Sequence, residues 1–123
     1  MYAIARGDIN MSSGKLAAQT GHAFKMLTRS LIKSNKPRFK ILENQYFSDG
    51  IGTNVILFAK DLNELLAIHA SLDDQYFPVE LIEDEGHIHP PHFDGSPIIT
   101  CLGVGPAKKK DLPAIFSKLQ SYK

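Results

Sequence analysis

The sequence predicts an α/β domain with a mixed β-sheet covered on both faces, and three observations carry that reading. Short apolar runs at residues 2–6, 55–59, 79–82 and 98–104 have the length and composition of strands. Segments with helical spacing of their apolar residues separate them, and strand–helix alternation builds layered α/β domains. Residues 55–59, Val-Ile-Leu-Phe-Ala, are apolar without alternation, the pattern of a strand buried on both faces.

Residues 2–6 form the first expected strand, which runs into a Gly7-Asp8 turn. Ser12 and Ser13 are helix-capping types, and residues 14–33 show helical periodicity. Leu16, Thr20, Ala23, Leu27 and Leu31 fall on one face, which should pack on the sheet. Residues 34–53, with Pro37 near the start and Gly50 and Gly52 near the end, suggest a second short helix and a loop. After the 55–59 strand, Asp61 reads as an N-cap for an amphipathic helix carrying Leu62, Leu65, Leu66, His69 and Leu72. The strand at 79–82 leads into the acidic Glu83-Asp84-Glu85, and a polar, proline-rich loop spans 86–97. The strands on either side of that loop are placed to pair antiparallel. After the 98–104 strand, Asp111 reads as the cap of a last helix with a stripe of Leu112, Ile115, Phe116 and Leu119.

The bulk properties bound the function. A chain of 123 residues suits a single domain, taken as 1–123. No apolar run reaches the roughly 18 residues of a helical membrane span, and the opening residues lack the apolar stretch of a signal peptide. The lone Cys101 cannot form an internal disulfide, which fits a reducing cytoplasm. The formal net charge of +1 is no global nucleic-acid signature, so any such contact must come from local clusters.

The most informative segment is Gly14-Lys15-Leu16-Ala17-Ala18-Gln19-Thr20-Gly21-His22-Ala23. Lys15, Gln19 and His22 are spaced i, i+4, i+7 and line one stripe beside the apolar face. A lysine in the first turn opposes the helix dipole, next to backbone N–H groups without helical partners. Both features become favourable if an anion binds, whether phosphate or oxyanion. A solvated lysine with a satisfied His and Gln is the plainer alternative.

Arg6-Gly7-Asp8, Met11 and the helix segment Gly14 to Gln19 with His22-Ala23 resemble the opening of type 2 peptidyl-tRNA hydrolases. Three later stretches continue the resemblance in order: residues 55–65, Leu81 to Gly86, and Thr100-Cys101-Leu102-Gly103-Val104-Gly105-Pro106. The resemblance implies a three-layer α/β/α sandwich with a four-stranded mixed sheet, no metal or other cofactor, and often a homodimer. It implies hydrolysis of the ester joining peptide to tRNA at the acceptor end, with Lys15, Asp84 and Thr100 as the active residues. In such a site Asp84 serves as base or orienter, Thr100 holds water or substrate, and Lys15 stabilises negative charge. Gln19 and His22 are then candidate substrate contacts. The chain departs from the family pattern at Ser13, where a lysine is frequent, at Ile88, where a second threonine is common, and in a longer 87–97 loop. These departures motivate a second reading, a non-catalytic or altered-substrate relative that binds RNA or protein through the same face.

Three of the five histidines lie in His87-Ile88-His89-Pro90-Pro91-His92. In an extended segment His87 and His89 point the same way and can ligate a metal with Asp84 or His92, which defines a third reading. Two basic clusters remain: Lys33, Lys36, Arg38 and Lys40, and the run Lys108-Lys109-Lys110. Charge runs are usually solvated surface, but with a tRNA substrate they are candidates for phosphate contact. Phe39 and Tyr46 are candidates to stack on an unpaired base.

Overall fold

A computed structural model describes residues 1–48, 50–84, 88–89, 93–94 and 96–121. Strand β1 (Tyr2–Arg6) is followed by helices α1 (Ser13–Lys33) and α2 (Pro37–Phe47), then β2 (Val55–Ala59), α3 (Leu62–Ala70) and β3 (Val79–Asp84). Two short strands, β4 (Ile88–His89) and β5 (Phe93–Asp94), pair within the 86–97 region, and β6 (Ile98–Val104) and β7 (Gln120–Ser121) complete the chain. The sheet order is β3-β6-β1-β2, extended at its edge by the two-residue β7. β1 and β2 run parallel, whereas β6 is antiparallel to both β1 and β3. The result is a mixed four-stranded sheet flanked by three helices, an α/β/α sandwich. Among the described residues no helix is long and apolar enough to cross a membrane.

The sequence explains which face each helix takes. The α1 residues Leu16, Thr20, Ala23, Leu27 and Leu31 are buried, as their spacing requires. On the sheet below, Ala3, Ile82 and Cys101 cluster with Ala23 of α1. The alternate residues Ile4, Leu102 and Val104 share a core with Leu65 and Ile68 of α3, on the opposite face. α2 packs against α1 and buries Phe39 and Leu42. Ser12 Oγ accepts the Lys15 N–H at the start of α1, and Asp61 Oδ1 accepts the Glu64 N–H at the start of α3.

The last helix expected after Asp111 does not form. Asp111 lies inside a single 3₁₀ turn, Lys109–Asp111, and a second 3₁₀ stretch covers Ala114–Lys118. Pro113 between them has no N–H to donate, and the chain must straighten for β7 to pair with β2. The apolar stripe is nevertheless packed. Phe116 is buried edge-on against Tyr2 at 5.7 Å, and Leu112, Ile115 and Leu119 lie against the same core.

Close approach of α1 to β6 depends on Gly103. A Cβ at this position would stand 3.1 Å from Leu27 Cγ and 3.3 Å from Ala23 Cβ. A Gly103→Val substitution should therefore overpack the interface and cost about 1–3 kcal/mol. Urea denaturation would report this as a lower midpoint, and an unchanged midpoint would mean that the helix seat is looser than described.

Candidate active site

The N-terminal turns of α1 lie over the adjacent ends of β3 and β6, and four polar side chains meet there in two pairs. Lys15 Nζ stands 2.5 Å from Asp84 Oδ2, joining the first turn of α1 to the last residue of β3. Both side chains are largely covered, with 15% and 16% of their surface exposed. One turn further along the helix, the Thr100 hydroxyl donates to Gln19 Oε1 at 2.7 Å. That second pair is sealed: Thr100 has no accessible surface and Gln19 only 4%.

Thr100 reaches α1 because of an irregularity in the sheet. Ile82 pairs with Cys101 and the next residue, Glu83, pairs with Ile99, so Thr100 is the extra residue of a β-bulge. In an unbroken strand Thr100 would face away from Cys101, towards α3. Instead both point to α1, Cys101 against Ala23 and Thr100 against Gln19. Asp84 needs no such device, because it shares a face with Ile82 and with Glu80, which accepts from Ser30 of α1 at 2.6 Å.

Arg6, quoted in the sequence only as part of a motif, braces the same region. Its guanidinium makes two hydrogen bonds to Asp8, at 3.0 and 2.8 Å, and donates to the Ile99 carbonyl at 3.2 Å. It thus ties the end of β1 to the strand that carries the bulge. Gly7 lets the chain turn tightly here: its N–H donates to Ala59 O at 2.7 Å, and a Cβ would lie 3.0 Å from that oxygen.

The other expected residues are placed differently. Gln19, expected as a substrate contact, has its carbonyl engaged by Thr100. His22 is exposed on α1, about 10 Å along the axis from Lys15 at about 1.5 Å per residue. Lys108, Lys109 and Lys110 are exposed but follow the far end of β6, separated from the bulge by most of that strand's length of about 20 Å. Lys108 lines a separate cleft of about 320 Å³ with Met1, Leu42 and Tyr46. The histidines His87 and His92 lie outside the described residues, as does the metal arrangement built on them.

The middle basic cluster is largely occupied by the fold. Lys36 donates to Gln75 Oε1 at 2.8 Å, and Lys40 donates to the Leu31 and Ile32 carbonyls and pairs with Glu43. Arg38 donates to the Tyr76 carbonyl and stacks 3.5 Å above its ring. Phe39 is buried in the core and presents no stacking surface, which overturns the expectation that it receives a base. Tyr46 donates to Asn54 and lies partly buried against the core.

Comparison with known proteins gives the family. The family described as peptidyl-tRNA hydrolase PTH2 matches residues 1–122. The chain belongs to that family. A peptidyl-tRNA hydrolase of Saccharolobus islandicus is 34% identical over 122 residues, covering 98% of this chain and 96% of the relative. The Saccharolobus solfataricus protein of the same name is 34% identical with the same coverage. A peptidyl-tRNA hydrolase of Thermoplasma acidophilum is 29% identical over 120 residues, covering 96% of this chain and 93% of the relative.

Cys101 sits beside Thr100 with no accessible surface, and burial pushes its thiol pKa from 9.0 up to about 12. It therefore stays protonated and shielded at neutral pH, without the thiolate that reacts. A folded pKa above the unfolded one gives stability that is complete below about pH 9 and is lost as pH rises towards 12. A thiol-specific disulfide reagent at pH 8 should modify Cys101 only as fast as the protein unfolds. Rapid labelling of native protein would contradict the packing described around the bulge.

Proposed function

We propose that the Lys15–Asp84 pair is the reacting centre of this peptidyl-tRNA hydrolase, and that Thr100 and Gln19 position it. The enzyme hydrolyses the ester between a peptide and the 3′ end of tRNA, freeing the tRNA. The observation that carries the assignment is the partly exposed ion pair linking the first turn of α1 to the end of β3. It supplies a carboxylate and a cation within reach of one carbonyl group, at the positive end of a helix dipole.

The chemistry follows from those groups. A water molecule attacks the ester carbonyl while Asp84 accepts its proton. The carbonyl oxygen becomes an oxyanion, which Lys15 and the helix N-terminus stabilise. An ammonium has three donors, so a bond to Asp84 is compatible with one to the oxyanion. When the tetrahedral intermediate collapses, the bond to the terminal ribose oxygen breaks. The proton held by Asp84 then passes to that leaving oxygen.

Thr100 is too deeply buried to act as a substrate contact, so its role is to fix α1 against β6 through Gln19. The hydrogen bond sets the height of the first turns of the helix over the strand ends. Rigid support of this kind suits groups that must be held to a fraction of an ångström.

Two outcomes test the assignment in folded protein with purified peptidyl-tRNA. Asp84→Asn should lower turnover by about a hundredfold or more, and Lys15→Ala by about 10²–10³. Full turnover by either variant would remove that residue from the chemistry. Thr100→Ser should retain activity, whereas Thr100→Val should cost about 0.5–1.5 kcal/mol of catalysis through the missing hydrogen bond. Equal activity of the serine and valine variants would show that the hydroxyl positions nothing. Activity is expected to persist in excess chelator. Loss on chelation with recovery on adding zinc or manganese would transfer the mechanism to a metal.

A further inference from the structure

The solvent face of α1 carries a row of cations that neither the fold nor the reacting centre uses. Lys25, Arg29 and Lys33 are spaced i, i+4, i+8, with His22 three residues before the first, and all four are exposed. The whole helix, Ser13–Lys33, contains no aspartate or glutamate. Among the described residues the side-chain ion pairs are Arg6–Asp8, Lys15–Asp84 and Lys40–Glu43, so the row has no counter-charge. Glu80 lies on this side of the sheet but accepts from Ser30.

Like charges at i, i+4 destabilise a helix by a few tenths of a kcal/mol each. Only Lys33, in the last turn, is offset by the helix dipole. The remainder is a repulsion that folding does not require and that an anionic partner would relieve.

The row also has a direction. Lys33 is 18 residues from Lys15, which is five full turns at about 3.6 residues per turn, so both stand at the same position around the helix. The separation along the axis is about 27 Å at about 1.5 Å per residue. Lys25, Arg29 and Lys33 thus form a slanted row that begins about 15 Å along the axis from Lys15 and about 80° around the helix, and reaches the line of Lys15 at Lys33, with neighbours about 6 Å apart along the axis. That spacing matches a phosphate backbone rather than a single small anion.

We infer that the solvent face of α1, through Lys25, Arg29 and Lys33, is the track on which the RNA backbone of the substrate lies while its ester reaches Lys15 and Asp84. This inference rests on the proposed hydrolase site for its direction, although the cationic row stands without it. An anionic membrane is the poorer fit. A membrane-surface helix offers its apolar face to lipid, whereas the apolar stripe of α1 is buried on the sheet.

The test is the triple variant Lys25→Gln, Arg29→Gln, Lys33→Gln, in which every change lies on the exposed face. Binding of deacylated tRNA, followed by fluorescence anisotropy across a salt series, reads the track without any chemistry. The log–log salt slope should become shallower by about 0.7–0.9 for each phosphate that is no longer neutralised. On full-length peptidyl-tRNA, KM should rise at least tenfold with little change in kcat. On a peptidyl ester of a short 3′ oligonucleotide, which ends before the track, the variant should match the parent protein. An unchanged slope and affinity, or an equal loss on both substrates, would overturn the inference. If the triple variant fails to fold, the three single variants carry the same test, each expected to remove one phosphate's share of the slope. Should the parent protein hydrolyse neither substrate while its tRNA binding still depends on this row, the hydrolase site fails and the track stands.

Discussion

The seating of α1 on β6 is the constraint from which the rest of the site follows. Ala23 and Leu27 approach the strand where Gly103 leaves room, and Ala3 and Cys101 keep the neighbouring surface low. Once that stripe is buried, rotation of the helix about its axis is no longer free, because turning it would expose Leu16, Leu27 and Leu31 together. Fixed rotation brings Lys15 to the end of β3 and Gln19 to the bulge of β6. The same rotation turns Lys25, Arg29 and Lys33 to solvent. One packing decision thus gives the helix a sheet side, a reactive flank and a charged outer face.

The bulge at Thr100 completes that arrangement. Without the extra residue, the hydroxyl would fall on the α3 side of the sheet, where the core is formed by residues such as Leu65 and Ile68. A buried hydroxyl there would need a partner that an apolar core does not offer. With it, Thr100 and Gln19 satisfy each other at almost no exposed surface, and among the described residues no buried side-chain polar atom lacks a partner. The pair is therefore a structural tie between helix and strand placed one turn from the ion pair. Arg6 adds a second tie through the Ile99 carbonyl, on the residue that precedes the bulge.

The main elements were legible in the sequence because their signals are local. The buried stripe of α1 follows from apolar spacing alone, and the boundaries of β1, β2 and β6 follow from apolar runs of strand length. Lys15 and Asp84 stood out through their motifs, and the structure brings them together. The partnership of Gln19 and Thr100 was hidden, since it depends on a register shift that no property of either segment announces. Gln19 is polar and borders the apolar stripe, so spacing alone turns it towards a substrate rather than into the protein. The final segment misled for a related reason. Its Leu112, Ile115, Phe116 and Leu119 repeat like a helix, yet Pro113 and the edge pairing of β7 dictate 3₁₀ turns. The cations of α1 were individually visible, but a charged face acquires meaning only when the opposite face is known to be buried.

The central claim is that Lys15 and Asp84 act as one unit at the ester, and a double-mutant cycle on kcat/KM addresses it directly. The cycle compares Lys15→Met, Asp84→Asn and the combined variant with the parent protein, each checked for folding. Residues that work together in one step lose most of their effect with the first substitution, so the combined variant should be little worse than the more damaging single one. Losses that simply add would contradict the account, because they would mean that the two side chains serve separate functions despite their contact.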